Sequence, residues 1–236
     1  MKQRYKWGVL LVNSWLASCT SPTEKQSLEA VAQFYGGSVG FTKGANATTE
    51  TAVAHGKYLE ISLNASGIGK RYSDLQIPAS NCAHMVYEKF SPAEQQAYDY
   101  LKVSLNDSGG AHAYTFRKTE LATAAQAGLD LNAFMIDLQT EDHDKVLKAF
   151  NPEVLGAEAQ AKLPEQLAKI EQSVASITDY RVEGYAPVTI ELGKKEVKLV
   201  RFYLTVVHAG KTSRLSLLIN PQMHPDQPFL YGMQVA

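Results

Sequence analysis

The sequence predicts an α+β fold in two small units, the second a curved antiparallel sheet with helices packed on one face. Three observations carry that prediction. Apolar residues recur at helical spacing after Ser21, Pro78 and Leu131, but alternate with polar ones after Lys57, Leu101 and Val188. Clusters rich in Gly, Asn and Ser punctuate the alternating runs. The order also changes along the chain: helices and strands mix before Gly128, while helices precede a strand meander after it.

Taken in order, Ser21-Pro22-Thr23-Glu24 fits a capping box with proline at the first helical position. The helix it opens would set Leu28, Val31, Ala32 and Tyr35 on one face and stop at Gly36-Gly37. Residues 41–51, rich in Gly, Asn and Thr, read as a strand fragment and loop. Lys57 to Leu63 reads as a half-buried strand, with Tyr58 opposed to Leu59, Ile61 and Leu63. Pro78 would open a helix that ends at Phe90, and Ser91-Pro92-Ala93-Glu94 is a second capping box. Leu101 to Leu105 alternates, Asn106 to Gly110 is a turn cluster, and Ala111 to Phe116 returns as a strand. Residues 27–126 thus form the first expected unit.

The second expected unit spans 129–236. Leu121 to Ala127 would connect the two as a short helix. Leu131, Phe134, Met135 and Leu138 make a helical stripe, and Val146, Ala149 and Phe150 continue one after the break at Thr140-Glu141-Asp142. Pro164 starts a further expected helix along Leu167, Ile170, Val174 and Ile177. Three apolar sets then follow at a period of two: Val188-Ile190-Leu192, Val200-Phe202-Leu204-Val206 and Leu215-Leu217-Ile219. Gly193-Lys194-Lys195 and Ala209-Gly210-Lys211 would join them, and Phe229 to Val235 adds a last strand. A boundary near Gly128 implies that 129–236 folds alone.

The start of the chain carries an address. Lys2, Arg4 and Lys6 precede an apolar run from Trp7 to Leu16, too short to span a bilayer, and Leu16-Ala17-Ser18-Cys19 follows. Those four residues resemble the lipobox of bacterial lipoproteins, in which the cysteine is acylated and becomes the mature N-terminus. The resemblance implies a signal peptide over 1–18, lipid on Cys19, a tether over 19–26 and attachment to the membrane of the cell envelope. By similarity to enterobacterial sorting, Thr20, which is not acidic, implies the outer membrane. Removal of 1–18 takes three of the 23 Lys plus Arg and none of the 24 Asp plus Glu, leaving 218 residues at net −4. That balance offers no footprint for nucleic acid. No polybasic segment follows Cys19 to grip anionic headgroups.

Residues 129–236 also resemble the nuclear transport factor 2-like, or cystatin-like, superfamily. The resemblance lies in the helical segment Leu131 to Phe150, then a later helix, then long antiparallel strands. Members of that superfamily include enzymes, small-molecule binders and interaction modules, so the likeness implies a cone-shaped fold without an activity. The segments Gly56 to Ile61 and Tyr87 to Pro92 are similar to uncharacterised envelope lipoproteins.

No catalytic residue, metal ligand set or cofactor motif is expected. Glu141-Asp142-His143-Asp144 is the densest titratable cluster, yet neighbours in a helix diverge, and acids suit a helix start. The other histidines, 55, 84, 112, 208 and 224, lack ligand spacing. Cys82 sits on an apolar helical face and reads as a small buried hydrophobe. One softer signal remains. Arg201 and Tyr203 alternate with the apolar set of their strand, Tyr185 shares a face with Arg181 and Glu183, and Arg214 follows on the next strand. Arg and Tyr are enriched at binding hot spots. Tyr185, Arg201, Tyr203 and Arg214 therefore form the expected interaction face, for a protein partner or a second copy, against the plainer reading of a solvated sheet face. The function expected is a lipid-anchored binding or interaction module. The alternative is an envelope hydrolase or isomerase with its site in the cone of the second unit.

Overall fold

A computed structural model describes residues 21–47, 55–154, 161–162, 164–165, 177–208, 210–223 and 227–235. The signal segment, Cys19 and the stripe Leu167, Ile170 and Val174 lie outside the described residues. Two four-stranded sheets and several helices make the α+β fold that the sequence predicts.

The first sheet is built from β1 (Ser38–Asn46), β2 (Gly56–Asn64), β3 (Tyr100–Asp107) and β4 (Gly110–Arg117), side by side in that order. β1 and β4 pair antiparallel with their neighbours, but β2 and β3 run parallel. The parallel pair follows from the three helices between them: α2 (Ile68–Arg71), α3 (Gln76–Lys89) and α4 (Pro92–Ala97). A crossover of that length can return the chain to the same end of the sheet. Leu59, Ile61 and Leu63 on β2 and Leu101, Val103 and Leu105 on β3 are all buried, as the alternation predicts.

α1 (Pro22–Tyr35) begins one residue after its cap, Ser21, so the expected tether to residue 26 is already helical from Pro22. Both capping boxes are formed, and they interlock. Ser21 Oγ accepts from Glu24 N at 3.0 Å, and the same hydroxyl donates to the Glu94 carboxylate of the second box. Lys43 and Tyr98 close the cluster on Glu24 at 2.8 and 2.7 Å.

The second sheet, curved and open, is the antiparallel meander β5 (Ile177–Leu192), β6 (Lys195–His208), β7 (Lys211–Ile219) and β8 (Leu230–Val235). Phe202, Leu204, Val206, Leu215, Leu217 and Ile219 are buried on its inner face. α5 (Lys118–Gln139) packs there with Leu131, Phe134 and Met135, and α6 (His143–Ala149) follows it. The expected boundary at Gly128 falls within α5, which takes in the connecting segment and the later stripe as one 22-residue helix. Buried residues before and after Gly128 belong to one core.

α3 explains that shared core. Pro78, Ala79, Ser80, Asn81, Cys82, Ala83, His84, Val86 and Tyr87 are all buried, because the helix packs against α1, α5, β3, β4 and β5 together. Two of its polar groups are tied to α1: Asn81 Nδ2 donates to Tyr35 Oη at 2.9 Å, and that hydroxyl donates to the Pro78 carbonyl at 3.2 Å. Burial drives the Cys82 thiol well above its ordinary pKa, consistent with a packed hydrophobe rather than a nucleophile.

Candidate functional site: a cationic groove on the outer face of the second sheet

Alternation on β6 turns Tyr203 and Thr205 away from the core face that holds Phe202, Leu204 and Val206. Register then aligns cross-strand rows. Tyr203 stands opposite Ser216, which stands opposite Gln234. Thr205 stands between Arg181 and Arg214. A β-bulge lies between Val182 and Gly184, so Glu183 is the extra residue of β5.

Glu183 is 8% exposed and is engaged from three sides. Thr205 Oγ1 donates to it at 2.8 Å, the Arg181 guanidinium donates through Nε at 2.8 Å and Nη2 at 2.5 Å, and the Tyr72 hydroxyl donates as well. Burial alone would raise the carboxyl pKa, but those donors outweigh it and hold the group below its ordinary value. The Tyr72 phenol moves the other way, pushed up by burial and by the carboxylate it serves.

The wall of the groove comes from the first half of the chain. Ile68, 2% exposed, pins α2 to the core, and Tyr72 N bonds back to the Ile68 carbonyl at 3.1 Å. Lys70, Arg71, Tyr72 and Ser73 are thereby brought over the sheet face. The Arg71 guanidinium lies 5.5 Å from the Tyr72 ring centre, and the Arg181 guanidinium 4.9 Å from that of Phe34 on α1. The groove, open to solvent along one side, measures about 560 Å³, within the range that holds a small ligand. Among its described lining residues Lys70, Arg71, Arg181 and Arg214 are cationic, and Glu183 alone is acidic.

Such a site attracts negative charge. Its one carboxylate has its donors in place and is ionised, so it positions Arg181 and Tyr72 rather than accepting a proton from a substrate. A phenol whose pKa is raised is no phenolate base at neutral pH. What remains are guanidinium and ammonium groups, hydroxyls and an amide, which recognise a carboxylate, phosphate or sulfate group.

Of the expected interaction face, Tyr203 and Arg214 line the groove. Arg201 lies one row beyond it, half-buried between Ala186 and Leu218. Tyr185 requires correction. It is 2% exposed and faces the core, with its ring 5.8 Å from His84, 6.3 Å from Phe116 and 6.5 Å from Phe202. The bulge at Glu183 is the cause: it breaks the alternation that places Tyr185 with Arg181 and Glu183, and pairs Tyr185 with Phe202. Lys70, Arg71 and Tyr72 escaped the sequence reading because they come from the other half of the chain. The basic–aromatic run Lys70-Arg71-Tyr72 was the one local signal available.

The remaining clusters are structural. Asp142 caps α6, its side chain accepting from Lys145 N at 3.2 Å. His84 is buried, with Nδ1 3.3 Å from Glu88. Among the described residues no three His, Cys, Asp or Glu side chains gather as a metal site, and no helix is long and apolar enough to cross a membrane. The chain matches no protein-family model, no curated protein and no solved structure.

Proposed function

We propose that this chain is a lipid-anchored protein of the bacterial cell envelope, held in the outer membrane through Cys19, that binds an anionic ligand in the groove between α2 and the second sheet. The observation that carries the binding reading is the excess of four cations over a single, already engaged carboxylate. The same engagement favours binding over acid–base chemistry in this groove, since neither Glu183 nor Tyr72 is poised to take a proton, while the alternative of a hydrolase or isomerase site would belong to the inner, helix-covered face. The meander with helices on its inner face suits a distant nuclear transport factor 2-like relationship, proposed on the likeness of element order alone. The anchor reading rests on Leu16 to Cys19, and on a helix that starts only three residues later, at Pro22.

Two experiments test the proposal. Calorimetric titration with digalacturonate and with inorganic phosphate should give saturable binding that weakens by about tenfold in Arg214→Ala, the loss of one charge-assisted contact. Unchanged affinity in that variant, or no binding of either probe, would overturn the groove. For the anchor, metabolic labelling with palmitate should mark the wild-type chain and not Cys19→Ser; an unmodified Cys19 in membrane-extracted protein would overturn it.

A further inference from the structure

A second groove, of about 590 Å³, opens beside the start of α2, where the parallel strands β2 and β3 both end. Its chemistry differs from the first. Asn64, Ser66, Asn106 and Ser108 line it with neutral donors and acceptors, Asp107 adds a carboxylate, and Gly36-Gly37 supply bare backbone. The close approach there needs glycine: Gly37 has φ +108°, and a Cβ on it would sit 2.1 Å from the Asn64 carbonyl oxygen. Asn106 Nδ2 donates to Asn64 Oδ1 at 3.0 Å, which ties the two strand ends into one rim. Arg71 lines both grooves.

Resting on the anion-binding reading above, we infer that the two grooves form one cleft for an extended polysaccharide that alternates acidic and neutral sugars, an acidic unit on the arginine side and the hydroxyls of a neutral unit on the Asn/Ser side. The asymmetry of the lining selects this class. A nucleic acid presents a phosphate at every residue and calls for cations along its whole path, whereas the second groove offers Asp107. A sugar chain presents hydroxyls at every residue, which donate to Asp107 and exchange hydrogen bonds with Asn64 and Asn106. Tyr203, set among the cations, offers a ring face to the apolar side of a sugar.

The proposed anchor bears on the source of the ligand. α1 has 14 residues and spans about 20 Å. Ser21 lies at one end, whereas Phe34 under Arg181 and Tyr35–Gly37 beside the second groove lie at the other. The cleft thus lies a helix length from the end of the chain that the proposed anchor would hold, and phosphatidylglycerol vesicles distinguish a headgroup ligand from a sugar chain.

The test uses the full chain carrying Cys19→Ser, titrated with digalacturonate, the disaccharide and the hexasaccharide of hyaluronan (alternating acidic and neutral sugars), the neutral cellohexaose, hexaglutamate and phosphatidylglycerol vesicles. The hexasaccharide should bind at least about tenfold more tightly than the disaccharide, because the second groove adds contacts to a ligand already held. Cellohexaose and hexaglutamate should each bind about tenfold more weakly than the hexasaccharide, and the vesicles no better than neutral ones. Asn106→Ala, which trims the second groove, and Ser66→Trp, which fills it, should remove the length advantage while leaving disaccharide affinity and melting temperature unchanged. Equal affinity for the two acidic lengths, an unaltered length advantage in both variants, or preference for hexaglutamate or the vesicles would overturn the cleft. If digalacturonate still depends on Arg214 in that event, the anion site stands and only its extension falls. If no acidic probe binds, both fall.

Discussion

Glu183 shows how one residue sets both the groove and its limits. As the extra residue of a bulge it is drawn into the sheet and meets donors from Tyr72, Arg181 and Thr205. Glu24 and Glu94 are held in the same way, the first by Lys43, Ser21 and Tyr98 and the second by Ser21, Thr23 and Ser91, with Glu94 lowered to about 2. For a carboxyl whose folded pKa lies below the ordinary 4.5, stability is fully present above that value and is lost as pH falls through the folded value. The protein should therefore hold its melting temperature from neutral pH to about 5, then lose it steeply toward pH 3. Thermal scans across that range check this, and Glu183→Gln should flatten part of the acid limb. A melting temperature that is level down to pH 3 would contradict it. Tyr185 and Tyr203 give a second residue-scale prediction. Tyr185→Ala and Phe202→Ala should each cost about 3–5 kcal/mol, as buried aromatics do, while Tyr203→Ala should weaken digalacturonate binding with little change in stability. Urea denaturation beside calorimetric titration separates the two effects. Unbroken alternation is enough to put Tyr203 and Arg214 on the outer face of the sheet, where they line the groove. The same reading misplaces Tyr185 because a bulge leaves no mark in a pattern of polar and apolar letters.

At the scale of the element, α3 and the bulge of β5 are fitted to each other. A Cβ on Gly184 would lie 2.1 Å from the Ile77 carbonyl oxygen, and Tyr185 N donates to Ser80 Oγ at 2.8 Å, which in turn donates to that same carbonyl at 2.8 Å. Backbone on both sides leaves no flexible atom to yield. Gly184→Ala should therefore destabilise the protein by about 1–3 kcal/mol, the usual cost of overpacking. Gly40→Ala, at a strand position with nothing within 4 Å of the added carbon, should change stability by less than about 1 kcal/mol. Equal melting temperatures for the two variants would argue against so tight a contact. The starts of α1 and α4 were legible because a capping box is a local device written in four residues. The role of α3 was not. Ser80, Asn81 and His84 look like a solvent face in sequence, and only long-range packing against two sheets makes them interior.

At the scale of the whole molecule, the fold class and the meander could be read from the sequence, but the division into two units depended on a composition change at Gly128 that the packing ignores. α5 crosses that position without a break, and Leu121, Ala124 and Ala127 before it share a core with Leu131 and Phe134 after it. Tyr185 and Phe202 on the second sheet are covered by His84 of α3, from the first half. A fragment of residues 129–236 would lack α3 and the first half of α5 and would expose that inner face. Uncovering Tyr185 and Phe202 alone forfeits roughly 3–6 kcal/mol, a large part of the 5–15 kcal/mol that typically holds a domain together. The groove would also lose Lys70, Arg71, Tyr72, Ser73 and Ile77, its wall from the first half. The fragment is therefore expected to show no cooperative thermal transition and no digalacturonate binding, while the full chain unfolds in a single transition whose calorimetric and van't Hoff enthalpies agree. Two resolved transitions in the full chain, or a cooperative melt in the fragment, would restore two independent units joined at Gly128. The ligand groove would then be an interface between domains rather than a feature of one body.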